Sequence, residues 1–285
     1  MPYFLLTFTL PAELRKLARR QQRLFYALLF RASAAATQQL AQDPRFIGGQ
    51  IGMMGVLHTW RRDLRYHPHV HYLVPAGGLA HDSHTWRPAR RNFLLPVKAL
   101  SRLFRGHFQR ALQKTAYYAD IPARLWTQEW VVHCKPVGSG ETALRYLAPY
   151  IFRVALSNRR LVKLEHDQVT FRYTEAASGQ TRFCTLPAEH FLHRFLQHVL
   201  PKGFVKVRYY GLFAPGRRQR LAALQQQLHQ QLANPLPPTE SCPVDTTAAP
   251  ARPASPPSAD PLRCPVCGQA MQVRSLLRPS ERCPP

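Results

Sequence analysis

Hydrophobic and polar positions alternate, then wind, then alternate again along most of this chain. Tyr3–Thr9 reads as a short apolar strand, and Pro11 with Glu13 opens a helix that carries Leu14, Leu17, Leu24 and Leu28 to about Gln42. Gly48 and Gly49 break it. Ile51–Trp60 is predicted as a strand, Arg61–Pro68 as a polar loop, and His69–Pro75 as a second strand closed by a hairpin turn at Gly77-Gly78. Apolar residues at Leu100, Leu103, Phe104, Phe108 and Leu112 predict a helix over Val97–Ala119. Beyond it come a strand at Trp130–Cys134, a turn at Gly138–Gly140 and a helix at Glu141–Asn158. A meander of Leu161–Leu164, Val169–Tyr173 and Arg182–Leu186 follows, then a helix at Pro187–Val199, a strand at Phe204–Phe213 and a Gln-rich amphipathic helix at Arg217–Ala233. Antiparallel hairpin signals outnumber βαβ units, which favours an α+β fold over a doubly wound sheet.

The pattern stops at residue 234. Nine of the 28 residues from Asn234 to Pro261 are Pro, with Ser, Thr and Ala between them, so this stretch is expected to be an extended, disordered linker. Residues 262–285 carry Cys264-Pro-Val-Cys267-Gly, half of a zinc ribbon, and a late Cys283. A zinc site at Cys264 and Cys267 and a degenerate tail are both open. Four segments result: 1–215, 216–233, 234–261 and 262–285.

Charge narrows the function. The 285 residues hold 39 Lys+Arg against 15 Asp+Glu, a formal net charge of +24, and 34 of those cations and 11 of those acids precede residue 234. An excess of this size repels itself unless a polyanion offsets it, so nucleic acid is the expected partner, ahead of an anionic membrane. The scarcity of acid leaves little for a paired-carboxylate glycosidase or an all-carboxylate metal cage. No apolar run reaches the roughly 18–20 residues of a membrane span. The start, MPYFLLTFTLP, reads as a strand and not a secretory leader, and six Cys in 285 residues make no disulfide scaffold, so a reducing cytoplasm is expected.

Two constellations could carry chemistry. In His67-Pro68-His69-Val70-His71, strand alternation puts His69 and His71 on one face, about 7 Å apart, with Val70, Tyr72 and Val74 on the other. Two such imidazoles can converge on one ion; equally, they can be the polar face of a half-buried strand. His67 is a third ligand or a loop residue. In Leu144-Arg145-Tyr146-Leu147-Ala148-Pro149-Tyr150, Tyr146 and Tyr150 stand at i and i+4 of a helix that Pro149 tends to kink. They are core tyrosines or reactive ones, and Arg145, Arg153, Asn158, Arg159 and Arg160 around them suit a phosphodiester lying across the helix. A phenol of pKa about 10 needs a positive field to attack phosphate at neutral pH, and a His-bound divalent ion supplies one. The product would be a covalent tyrosine–phosphate link that keeps the bond energy of the broken strand.

These residues resemble a known family. The His-hydrophobic-His strand followed by a Tyr-x-x-x-Tyr helix is similar to the HUH endonucleases. The blocks YFLLTFTLPAEL, TWRRDLRYHPHVHYLVPAGGL, YLAPYIFRVALSNRRL, VTFRY and FLQHVLPKGFVKVRYYGLFAP resemble, in that order, the two-tyrosine rolling-circle transposases of the insertion-sequence ninety-one type. The resemblance covers about residues 1–215. It implies an antiparallel palm with the site on its open face, His69 and His71 as ion ligands, Tyr146 and Tyr150 as nucleophiles, and Mg or Mn as the ion, whereas imidazole ligation by itself leans to Zn, Mn, Ni or Cu. It implies single-stranded DNA cleavage at element ends and rolling-circle movement, with single- and double-stranded DNA as partners and a bacterial, nucleoid-associated location. A third polar ligand is usual, with His58 the first candidate and Asp63 the second. Related transposases often carry a Cys-rich region before the first strand; here Met1 begins at that strand. Two other readings compete: a non-catalytic DNA-binding remnant of a truncated transposase, and a zinc-dependent hydrolase that uses water and leaves the tyrosines without a role.

Overall fold

The structure is a computed structural model. It describes residues 1–80, 85–152, 155–175 and 178–233, with 146, 147, 149–152 and 227–233 in backbone only. All of these residues belong to a first unit, Met1–Pro235. The expected linker and the Cys264/Cys267 tail lie outside the described residues.

The first unit is built on five antiparallel strands: β1 (Pro2–Thr9), β3 (Gly52–Trp60), β4 (Tyr66–Pro75), β7 (Val132–Ser139) and β11 (Val207–Gly211), in the order β11-β3-β4-β1-β7. Alternation assigns the faces. Phe4, Leu6 and Phe8 of β1 and Val70, Tyr72 and Val74 of β4 point into the main core. That face is covered by α2 (Gln22–Ala41) and α3 (Val97–Leu112), which pack on each other. On α3 the buried residues Leu100, Phe104, Phe108 and Leu112 recur every four positions, and Phe104 meets Phe8 and Trp130 edge-to-face at centroid distances of 5.2 and 5.0 Å. Each such ring contributes about 1.5–3 kcal/mol through burial. The Tyr72 hydroxyl, buried between sheet and helix, donates to the Phe30 carbonyl (3.1 Å) and lies 2.9 Å from Ser33 Oγ.

A second sheet, β8 (Leu161–Glu165), β9 (Gln168–Thr174) and β10 (Thr181–Pro187), carries α5 (Ala188–Leu196) and shares a small core of Leu64, Ala155, Leu156 and Phe171. The third sheet joins β2 (Gly49–Gln50), β5 (Gly77–Ala80) and β6 (Trp86–Pro88). Helix α4 (Gly140–Phe152) follows β7, and α6 (Arg218–Ala233) ends the unit. The α+β antiparallel architecture expected from the sequence is therefore the one observed.

Several boundaries differ from the sequence pattern. The long N-terminal helix is a 3-10 turn (Ala12–Leu14), α1 (Arg15–Arg20) and α2, broken where Gln21 leaves helical geometry at φ −123°, ψ 51°. Helix α3 stops at Leu112, and a separate 3-10 turn covers Ala116–Tyr118. Gly77-Gly78 is strand and not a hairpin turn: a side chain at Gly78 would sit 2.8 Å from the Gln50 carbonyl, so glycine there lets two backbones approach. The described part of α4 ends at Phe152, and Asn158–Arg160 form a 3-10 turn leading into β8, which shortens the helix expected over Glu141–Asn158.

Candidate metal centre

The site begins with register. β3 and β4 pair so that His58 stands opposite His69, and His71 lies two residues further along β4 on the same face. β4 begins at Tyr66, so His67 and Pro68 are strand residues and not loop. Between the pairs His58–His69 and Trp60–Tyr66 the ladder slips, with His67 and Pro68 opposing the single residue Thr59. Proline cannot donate to a ladder, and a bulge is where a sheet tolerates it; bulges also re-aim neighbouring side chains. The result is a triad: one ring nitrogen from each of His58, His69 and His71, all within 4.8 Å of one another. The ring centroids lie 4.8 to 5.3 Å apart and the planes are nearly perpendicular. His58, the first candidate for the third position, joins the pair. Asp63 does not: its carboxylate faces Arg65 at 3.4 Å.

Hydrogen bonds fix how two of these rings are held. His69 Nδ1 donates to the His67 carbonyl at 2.6 Å, which leaves Nε2 of the neutral ring with its lone pair. Thr7 on β1, directly opposite His71, places Oγ1 2.8 Å from His71 Nδ1. A ring oriented through one nitrogen presents the other in a defined direction, as metal-ligating histidines do. His69 and His71 fit an ion in protonation as well. Burial lowers the pKa of His69 to about 4, with the Arg15 charge adding to the effect and the bond to the His67 carbonyl opposing it. Burial also pushes His71 well below the usual histidine range, reinforced by His69, His58 and Lys135. Ligands must be deprotonated, and these are neutral at physiological pH.

The surroundings are cationic. His67 is held at about 3 by burial and then by His69, Arg15 and Arg61, with Asp63 pulling the other way. Two buried polar atoms, His67 Nδ1 and Arg15 Nε, have no hydrogen-bond partner in the protein. Orphaned polar atoms beside the imidazoles are the mark of a site completed by something else, and Arg15, Arg61 and Lys135 favour an anion.

The same face of the sheet carries α4. Ala143 packs with Leu5, Val56 and Leu73, and Leu73 alternates onto the histidine face of β4. Helix α4 touches β7, β1 and β3. Twelve residues on, Ala155 is buried near Leu64 and Trp60, at the far end of the histidine row. The side chains of Tyr146 and Tyr150, and the whole of Arg153, lie outside the described residues, as do Cys264 and Cys267. Arg145 pairs with Glu141 on the exposed surface at 2.7 Å, and Asn158 and Arg159 are exposed. Arg160 is occupied by backbone: it donates to the carbonyls of Arg172 (2.9 Å), Ala155 (3.4 Å) and Arg62, bracing the second sheet against the β3–β4 loop.

The family model described as "Putative transposase" matches residues 52–221, which include the histidine triad and α4. This chain belongs to that transposase family. "Putative transposase y4qJ" of Sinorhizobium fredii (strain NBRC 101917 / NGR234) is 40% identical over 241 residues, covering 77% of this chain and 61% of that protein. The "Transposase for insertion sequence element IS801" of Pseudomonas savastanoi pv. phaseolicola is 27% identical over 286 residues, covering 95% of this chain and 67% of that protein. The chain thus spans less than two thirds of the first relative's length. No solved structure matches it. Among the described residues of this family member, no helix is long and apolar enough to cross a membrane.

Thr7, Arg15 and Trp60 are site residues that sequence reasoning passed over. Thr7 and Thr9 were discoverable as the polar members of an otherwise apolar strand. Trp60, whose indole stacks on His58 at 5.0 Å and 12°, carried no signal beyond its place two residues after His58.

Proposed function

We propose that this protein is a DNA transposase that nicks single-stranded DNA at element ends through tyrosine attack and transfers strands by a rolling-circle route. The observation that carries the reading is the sharing of one sheet face by the histidine triad and α4. The helix starts over Leu5, Val56 and Leu73, and the chain returns at Ala155 beside Trp60. The segment bearing Tyr146 and Tyr150 therefore connects two points that bracket the triad. Positions 146 and 150 follow Ala143 by three and seven residues, the spacing of one helix face.

His58, His69 and His71 would hold a divalent ion, Mn or Mg, and the ion when bound supplies Lewis-acid charge at the scissile phosphate. Arg15 and Arg61 steer the phosphodiester to the imidazoles and help hold its oxygens. Thr7 and the His67 carbonyl keep the His71 and His69 rings turned. A tyrosine hydroxyl, from Tyr146 or Tyr150, attacks phosphorus; a Tyr Oη–P bond forms and the P–O3′ bond breaks. The phenolic proton ends on the departing 3′ oxygen, and the 5′-phosphate stays on the tyrosine. Strand transfer is the reverse reaction with a new 3′-OH, so two tyrosines allow two exchanges without ATP. Arg145, Arg153, Asn158 and Arg159 are proposed DNA contacts on or near this helix.

The test is a labelled single strand carrying an element end, incubated with protein and Mn. A covalent adduct that survives denaturation is expected, lost in chelator and lost in the Tyr146→Phe/Tyr150→Phe double variant. An adduct persisting in that double variant overturns the nucleophile assignment.

A further inference from the structure

A cavity adjoins the triad through Trp60. It encloses about 250 Å³ at the end of β3, between Thr59, Trp60 and Ala155 on one side and Phe195, His198 and Lys206 on the other. Its volume lies below the roughly 300–1,000 Å³ of pockets for drug-sized ligands, which suits one planar ring system. The walls are largely aromatic and apolar, and the polar groups are few and fixed. His198 Nε2 donates to the Leu64 carbonyl at 3.0 Å, so its Nδ1 accepts from the Thr59 hydroxyl at 3.3 Å. The Thr59 oxygen keeps its lone pairs as a hydrogen-bond acceptor. Lys206 sits at the rim with Nζ 5.4 Å from the Trp60 ring, and burial lowers its pKa.

Trp60 links this cavity to the triad. Its indole stacks on His58, makes an edge contact with His198 at 5.9 Å, and lines the cavity. A ligand in the cavity is thus one side chain away from the imidazoles. The net charge of +24 makes that ligand part of a polyanion, and an aromatic cleft with one cation at its mouth recognises a base and its phosphate.

We propose that this cavity receives a nucleobase of the single strand whose phosphate lies at the histidine triad, with the base against Trp60 and Phe195 and Lys206 turned to the backbone of the same nucleotide. This rests on the nicking reading for its location and extends it, because it makes Trp60 and Lys206 the residues that set the strand's register at the cut.

The experiment is binding in chelator, without cleavage, to a fluorescent dT 10-mer and to an abasic 10-mer with the same phosphates. The wild-type protein is expected to prefer the dT strand by roughly 10-fold, the scale of one stacked base. Trp60→Ala should remove that preference, and Trp60→Tyr should restore most of it. Lys206→Met should weaken both strands and lower the salt slope by about one. Should Trp60→Ala fail to fold, Ala155→Leu, which fills the cavity with a larger side chain, reads the same ratio. A wild-type protein without base preference, or an unchanged ratio in both Trp60→Ala and Ala155→Leu, overturns the proposal. The adduct assay is independent: its failure sinks the nicking reading and leaves this ratio as measured.

Discussion

Thr7→Val offers the sharpest probe of the metal centre, because Thr7 touches a proposed ligand and is not one. The substitution keeps a β-branched side chain on a half-buried strand position and deletes one oxygen, the atom 2.8 Å from His71 Nδ1. Lost with it is a hydrogen bond with a net contribution of about 1 kcal/mol, together with the orientation of one of three ligands. Partners of this kind change metal affinity by about 10–100-fold, or roughly 1.4–2.8 kcal/mol. A tenfold rise in the Mn dissociation constant is expected, against a larger loss for His71→Ala, which removes a donor outright. Isothermal titration of chelator-stripped protein measures both. Global stability should hardly move: 1 kcal/mol corresponds to about 2–4 °C in a domain of 150–250 residues. A dissociation constant for Thr7→Val within twofold of the wild type refutes the idea that β1 orients the ligand.

His69→Ala with His71→Ala should abolish adduct formation and leave salt-sensitive DNA binding, since phosphate contacts carry most affinity; gel-shift titrations at two salt concentrations check it. Acid should destabilise the metal-stripped protein. The folded-state pKa values of His67 and His69 are depressed to about 3 and about 4, so the unfolded chain takes up protons first. Stability is complete above the ordinary histidine range near 6.5 and falls as pH drops from there toward 4. Thermal melts in chelator read this, and a melting temperature that does not fall between about pH 7 and pH 5 contradicts the burial. Tyr72→Phe should cost about 1–2 kcal/mol, because the Phe30 carbonyl and the Ser33 hydroxyl each lose a buried hydrogen-bond partner; denaturant unfolding reports it, and an unchanged midpoint would show that this hydroxyl is dispensable.

Much of the centre was readable before any coordinates, for a definite reason. A strand's period of two is rigid, so His69 and His71 had to share a face and Val70 and Tyr72 had to oppose them. His58 was only a candidate, because cross-strand partners depend on register, and a bulge at His67-Pro68 sets it. Other features depend on contacts that spacing does not encode. The break at Gln21 has no proline or glycine to announce it. Gly77-Gly78 has the composition of a turn and the environment of a strand, the difference being the nearby Gln50 carbonyl. The cavity beside Trp60 draws residues from sequence positions as far apart as Thr59 and Lys206, and only the folded chain assembles it.

The triad is made of imidazoles and contains no carboxylate. Nearby, Glu13 acts on Arg15 and Asp63 faces Arg65, while Arg15, Arg61 and Lys135 raise the local potential. A divalent cation entering this setting keeps its full double charge and meets repulsion from its neighbours. Under the proposed nicking reaction nucleic acid supplies the missing counter-charge, so ion and strand would recruit one another. By reciprocity, whatever factor the oligonucleotide adds to Mn affinity, Mn adds to oligonucleotide affinity. Under the proposed nicking reaction, a transposase wired this way would stay idle with only one of the two, and cutting would wait for exposed single-stranded DNA.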